Sequence, residues 1–186
     1  VSSVYALDLA GLRLLDTSGR PRRPWTPSTP FVAHAVAVTE LYVQLVEAAR
    51  TGRIELLGFD AEPRCWRQYT DGRLEPATLK PDADVTLAVG DFEHHWFIEV
   101  DLGTESAPRV VAKARQYLDF YGTGDELESR GVVPRVLWVV PDERRRLQVT
   151  DALARSCDAP QDLFSVAVAD QALEVLVADD EDRGGG

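Results

Sequence analysis

The most constraining feature of this sequence is a short apolar run held between two prolines. All residues from Val136 to Val140 are apolar, and Pro134 and Pro141 lie close on either side of them. A continuous run of this length, without polar alternation, is typical of a strand that is buried on both faces. Such a strand indicates a sheet with helices on both sides, which is an α/β fold.

The rest of the pattern agrees with that fold class. The strongest predicted helix runs from Phe31 to Arg50 and stops before Gly52, and it is apolar nearly all round from Phe31 to Val38, so we expect it to be buried. The other predicted elements are the strands 54–59, 65–69, 85–89 and 95–100, the helices 107–121 and 142–157, and the strands 136–140, 164–168 and 173–177. This order predicts an α/β sandwich with a mixed central sheet flanked by helices.

We expect one folded domain, because 186 residues leave little room for two. Residues 1–30 are interpreted as an N-terminal segment and linker, residues 31–178 as the folded domain, and residues 179–186 as a disordered acidic and glycine-rich tail. The chain does not begin with Met, which suggests a fragment of a longer protein. It shows no secretory signal and no apolar run approaching about 18 residues, so we expect a cytoplasmic protein without a membrane span.

The charge of the chain limits how it could bind nucleic acid. Its formal net charge is −11 and its pI is about 4.7, which argues against a surface that wraps DNA by charge attraction. Residues 179–182 are all acidic, yet a charge of about −7 remains without them. Binding to DNA must therefore rest on a local site, on a metal ion or on a domain outside this sequence. Only Lys80 and Lys113 among the 20 basic residues are lysines.

Carboxylates are predicted to converge at one end of a hairpin. Asp82 lies at the start of one strand, and Glu99 and Asp101 lie two residues apart at the end of the next, so the latter two share a face. Like charges brought together raise each other's pKa, a cost that proteins accept mostly where a cation binds. Oxygen ligands of this kind select Mg²⁺ or Mn²⁺, which can activate water and stabilise charge on a phosphodiester.

The helix that follows adds three polar side chains on one face. Lys113 lies three residues before Gln116 and four before Tyr117. If that face looks onto the hairpin end, Lys113 can contact the scissile phosphate or the attacking water, and Tyr117 can orient the substrate. Simpler roles stay open, since Lys113 could only cover apolar surface and Tyr117 could be a core aromatic residue.

These motifs resemble the replication-relaxation family of plasmids and integrative elements. The resemblance covers roughly residues 4–170 and is carried by Val4–Leu7, His34, Pro81-Asp82, residues 99–105 (EVDLGTE), residues 113–117 (KARQY) and residues 134–146. It implies a metal-dependent DNA endonuclease or relaxase-like nicking protein that acts in replication or transfer of such an element. It also implies plasmid or mobile-element DNA as the partner, and an upstream winged helix in the natural protein.

That family is in turn similar to the PD-(D/E)XK nuclease superfamily, which implies a restriction-endonuclease-like αβββαβ core. The catalytic residues implied by this similarity are Asp82, Glu99, Lys113 and Tyr117. The implied ligands of Mg²⁺ or Mn²⁺ are Glu40, Asp82, Glu99 and Asp101. The superfamily has lysine where this chain has Asp101, and Lys113 is the candidate replacement. The candidate DNA contacts are Arg144, Arg145, Gln116 and His34.

Two further functions stay open beside the nuclease. The acidic balance and the aspartate at position 101 favour a catalytically inactive nuclease fold, used as a DNA-binding or protein-assembly module. A homodimeric interaction domain is the third possibility. Individual residues have alternatives as well: Glu40 could pair with an arginine inside the domain, His34 could be a satisfied buried histidine, and Arg144 and Arg145 could lie on a solvated helix face.

Overall fold

The computed structural model describes residues 28–156, 159–160 and 162–178. The chain divides between Ala35 and Val36 into two units, and residues 28–35 are the described part of the first. Most of the predicted N-terminal segment and the whole predicted acidic tail lie outside the described residues. The account below therefore concerns the second unit, apart from the bounds of the first helix.

A mixed sheet forms the centre of the fold, as the sequence predicts. Five strands lie in the order β1-β4-β5-β6-β7, and a separate hairpin pairs β2 with β3. The pairs β1–β4 and β4–β5 are antiparallel, whereas β5–β6 and β6–β7 are parallel. The strands are β1 (Glu55–Ala61), β2 (Arg67–Thr70), β3 (Pro76–Leu79), β4 (Ala83–Val89), β5 (Phe92–Val100), β6 (Arg135–Val140) and β7 (Phe164–Val168).

Helices surround this sheet in the described part of the chain. They are α1 (Thr29–Arg50), α2 (Ala107–Tyr121), α3 (Asp125–Arg130), α4 (Glu143–Ser156) and α5 (Ala172–Val177), the last preceded by a 3₁₀ turn at Ala169–Gln171. The predicted strand at 173–177 is wrong, because this segment is helical and buries Ala172 and Leu176, four residues apart. A short apolar run does not by itself distinguish a strand from a buried helical turn.

The strand β6 is covered on both faces, as its apolar run predicts. Leu137 and Val139 belong to a core cluster with the inner residues of α1 and α5, such as Leu45 and Leu176. Val136, Trp138 and Val140 face the other way and belong to a second cluster that includes residues of α2 and α4. Because side chains alternate along a strand, five consecutive apolar residues supply both clusters.

The order α1-β1-β4-β5-α2-β6 is compatible with an αβββαβ core, but the restriction-endonuclease-like fold stays a prediction.

Helix α1 is less buried than its composition predicts. Its buried residues are Val38, Leu41, Leu45 and Ala48, spaced to form one inner stripe. Val36 and Val43, on other faces of the helix, are 49% and 41% exposed, so the expectation of an all-round buried helix is wrong.

By length and composition alone, α1 could also cross a membrane, contrary to the expectation that no such run exists. One helix of this kind is weak evidence for a span, since a core helix passes the same test.

Candidate functional site

Asp82 and Glu99 are neighbours across the β4–β5 pair. The strand pairing joins Ala83 to Ile98, so Asp82 stands opposite Glu99 at the end of the ladder. The backbone N–H of Asp82 donates to the carbonyl of Ile98 at 2.9 Å, and the Asp82 Oδ2 accepts from the N–H of Val100 at 2.7 Å. Opposite residues of an antiparallel pair share a face, so the predicted convergence of these two carboxylates is present.

Helix α2 brings two polar groups to Glu99. The Tyr117 hydroxyl donates to Glu99 Oε1 at 2.5 Å, and the Lys113 Nζ lies 3.1 Å from Oε2. Lys113 also donates to the backbone carbonyl of Lys80 at 2.7 Å. The α2 face therefore looks onto the hairpin end, as its sequence spacing suggests. Gln116 differs, since its Nε2 donates to the Thr78 carbonyl at 2.9 Å.

Burial governs the charge of this cluster. Glu99 is only 8% exposed. Desolvation raises the pKa of its carboxyl to about 8, and the nearby Asp82 charge adds to the rise, while Lys113 and the Tyr117 hydroxyl oppose it. Burial and the Glu99 charge raise the pKa of Tyr117 well above its ordinary value. Tyr117 therefore keeps its proton at neutral pH and acts as a hydrogen-bond donor to Glu99.

Asp101 is committed to contacts within the protein. It is 2% exposed, and its Oδ1 accepts from the N–H of Gly103 at 2.8 Å. Its Oδ2 forms an ion pair with Arg145, whose Nε lies 2.8 Å away. Arg145 also donates to the Glu105 carbonyl at 2.6 Å. This buried pair joins the end of β5 to α4, and it disfavours both the predicted metal role of Asp101 and the predicted DNA contact of Arg145.

Glu40 does not join the two carboxylates. It is exposed on α1, whose inner stripe packs on the sheet face opposite to the one against which Tyr117 packs, and it lines a pocket with Val100 and Asp101 at the end of β5. Within residues 28–156, 159–160 and 162–178 no three or more His, Cys, Asp or Glu side chains are grouped so that they could hold a metal ion. The predicted cluster of four carboxylates is therefore not assembled. The pair Asp82–Glu99 is what the fold brings together.

The predicted DNA contacts of Gln116, Arg144 and His34 stay predictions. Arg144 is exposed in the first turn of α4, and His34 is half-buried in the described part of the first unit. Neither placement tests a contact with nucleic acid.

A buried ionic network next to the site escaped the sequence analysis. Asp84 in β4 lies two residues after Asp82 on the same face of the sheet, is 6% exposed and pairs with both Arg67 and Arg130. The same arginines contact the buried Glu126, with Arg130 Nε 2.9 Å from its Oε1. The partners lie 17 and 46 residues from Asp84, so only the folded chain could pair them. The network anchors α3 and β2 beside the hairpin.

Most of this chain matches a known protein family. Residues 2–136 match the family described as replication-relaxation. The matched range includes Asp82, Glu99, Lys113 and Tyr117, and it ends before Arg145. No curated protein and no solved structure gives a significant match.

Proposed function

Because this chain belongs to the replication-relaxation family, we propose that it cleaves DNA during replication or transfer of a plasmid or mobile element. Membership of the family supports the broader role in replication or transfer. The observation that carries the proposed chemistry is the meeting of Asp82, Glu99 and Lys113 on one face at the end of the β4–β5 pair. Two acids and a lysine are the groups that the PD-(D/E)XK resemblance implies.

The donor set fits a small divalent cation. Mg²⁺ in particular is commonly held by one or two carboxylates and completes its shell with water and substrate phosphate oxygens. Asp82 and Glu99 would be the two protein ligands, without Glu40 or Asp101. When bound, such a cation supplies Lewis acidity and lowers the pKa of a coordinated water.

Lys113 and Tyr117 supply the other functions of the proposed site. Lys113 carries the cationic group nearest to Glu99 and would stabilise negative charge on the phosphate during cleavage. Tyr117 fixes the orientation of the Glu99 carboxylate through its short hydrogen bond. Lys113 thereby takes the place of the lysine that the superfamily carries two residues after the acid, where this chain has Asp101 paired with Arg145.

Plasmid cleavage tests this proposal. Supercoiled plasmid is incubated with Mg²⁺ or Mn²⁺ and wild-type protein, Asp82→Asn, Glu99→Gln or Lys113→Met, and nicked and linear products are quantified. We expect each substitution to lower the rate by about 100-fold or more, and chelation by EDTA to stop the reaction.

The matched control is Asp91→Asn, because Asp91 is an exposed aspartate at the opposite end of the same hairpin. It should cleave at the wild-type rate. Equal rates for wild type, Asp82→Asn and Glu99→Gln would refute the assignment, provided that circular dichroism shows all proteins folded.

One observation favours a second function, that of a non-catalytic DNA-binding or assembly module. Both oxygens of Glu99 already have partners inside the protein, Tyr117 and Lys113, and a cation would have to compete with them. The net charge of −11 also suits a module that does not hold the DNA backbone over a wide surface. This function predicts no heat of Mn²⁺ binding in calorimetry and no cleavage, with binding of DNA or a partner protein retained.

A further inference from the structure

We propose that Trp66 and Lys80 form a platform that binds one base and one phosphate of single-stranded DNA next to Asp82 and Glu99. The proposal rests on the DNA-cleaving function inferred above and names its substrate class. It also assigns the two residues a role that the nuclease resemblance does not.

The loop that carries Trp66 is attached to the site. Trp66 lies in the turn between β1 and β2 and is half-buried. The preceding residue, Cys65, is fully buried, and its thiol donates to the Pro81 carbonyl at 3.0 Å. Pro81 immediately precedes Asp82, so the turn that carries Trp66 is attached next to the first carboxylate. The Trp66 Nε1 is buried and has no hydrogen-bond acceptor among the residues that the structure describes.

The Lys80 ammonium lies over the indole ring of Trp66. The distance from its Nζ to the ring centroid is 4.6 Å, and the Lys80 side chain is exposed. The Lys80 backbone carbonyl accepts the hydrogen bond from Lys113. The only two lysines of the chain therefore meet at this point, beside the carboxylate pair.

The ionic environment of Lys80 differs from that of most described basic residues. Across the described ranges Lys80 has no salt bridge, whereas many of the arginines pair with acids; such pairs join Arg53 to Glu174, Arg64 to Asp60, Arg109 to Glu105 and Arg146 to Glu143. In a chain with a net charge of −11, a cation without an acidic partner beside the site is a local attraction for phosphate.

The pair fits the two parts of a nucleotide. An indole face stacks on any base, and an ammonium binds the backbone phosphate, which is the combination used by proteins that bind single strands. A cation–π contact at an exposed site is weak, so a base can replace the lysine on the ring while the ammonium moves to a phosphate. A base within a duplex is already stacked on its neighbours and cannot use the ring. The platform therefore favours single-stranded over double-stranded DNA.

Binding of a fluorescently labelled twelve-nucleotide oligothymidylate, followed by anisotropy in EDTA, tests the platform without cleavage. Trp66→Leu keeps an apolar side chain but removes the stacking face, and should weaken binding by about 5- to 100-fold. Trp66→Phe keeps an aromatic face and should stay within about threefold of wild type. Lys80→Met should weaken binding and lower the slope of log affinity against log salt by about 0.7.

Two controls define the outcome. Phe92→Ala removes a 67% exposed aromatic residue at the far end of the hairpin and should bind the oligonucleotide as wild type does. A blunt duplex of equal length should bind equally to wild type and Trp66→Leu. Wild-type oligonucleotide affinity in a folded Trp66→Leu protein, or an equal loss for duplex and single strand, would overturn the platform.

The test is independent of catalysis. Loss of single-strand binding in Trp66→Leu, together with a wild-type protein that does not cleave plasmid, would keep the platform and discard the nuclease. Plasmid cleavage by wild type, together with oligonucleotide binding that ignores Trp66, would keep the nuclease and discard the platform.

Discussion

The protonation of Glu99 makes a specific prediction for the stability of the fold. The perturbation is a rise in pH from 6 to 9 in EDTA, applied to wild type and to Glu99→Gln. The amide cannot ionise, and its oxygen can still accept the Tyr117 hydrogen bond, while its NH₂ group replaces the oxygen beside Lys113. The variant therefore differs from wild type by a constant loss of that contact and by the absence of the titration. The difference between the two unfolding free energies then reports Glu99 alone, and other titrating groups cancel.

The sign and size follow from the pKa. In the unfolded chain a glutamate ionises near its ordinary pKa of about 4.3, whereas in the folded chain burial raises the pKa of Glu99 to about 8. The folded state thus binds the proton more tightly, so this stabilisation is complete below the unfolded pKa and disappears as pH rises through the folded pKa. One pKa unit corresponds to about 1.4 kcal/mol. Between pH 6 and pH 9 wild type should therefore lose about 3 kcal/mol relative to Glu99→Gln.

Urea unfolding followed by tryptophan fluorescence measures this difference at each pH. The expected result is a difference that changes steadily between pH 6 and 8 and levels off near pH 9. A difference that stays constant over the range would show that Glu99 is ionised throughout. In that case the attraction of Lys113 and the Tyr117 hydrogen bond outweigh desolvation, and the reasoning from burial is refuted.

Four other outcomes follow from the structure. Arg145→Met leaves the buried Asp101 charge without its partner and should destabilise the fold by about 3–5 kcal/mol in urea unfolding; adding Asp101→Asn should recover part of that loss. Tyr117→Phe removes the hydroxyl that donates to Glu99 and should cost about 1–3 kcal/mol by the same assay, and a change within error would contradict the hydrogen bond. Leu74→Gly should raise the melting temperature, because Leu74 is 85% exposed and adopts a φ of 63°, a conformation that glycine adopts without the steric cost of a side chain. Mn²⁺ affinity measured by calorimetry should rise about tenfold per pH unit between pH 6 and 8, because the cation displaces a proton from Glu99; a pH-independent affinity would contradict that displacement.

Local rules predicted much of the fold because each depends on few residues. The run Val136–Val140 indicated a strand buried on both faces, and both core clusters contain its residues. The same rules were wrong for 173–177, where packing of Ala172 and Leu176 selects a helix for a run that also suits a strand. The same rules overestimated the burial of α1, because the hydrophobicity of a helix does not determine how many of its faces other elements cover.

The candidate site was likewise predicted only in part from the sequence. Alternation and register were enough to pair Asp82 with Glu99, and helical spacing was enough to place Lys113 and Tyr117 together. Neither rule could show that Asp101 pairs with Arg145, 44 residues later. The contact depends on how α4 docks beside β5, which no local pattern records.

The sequence by itself determined which residues could share a face, because the periods of strands and helices are properties of the backbone. Only the tertiary structure decided which charges neutralise each other and which acids stand apart. Asp101 pairs with Arg145 and Glu40 is exposed on α1, whereas Asp82 and Glu99 remain together beside Lys113. The physical reason is that Coulomb attraction and desolvation act through space, so they depend on distances and burial that exist only after the helices have packed on the sheet.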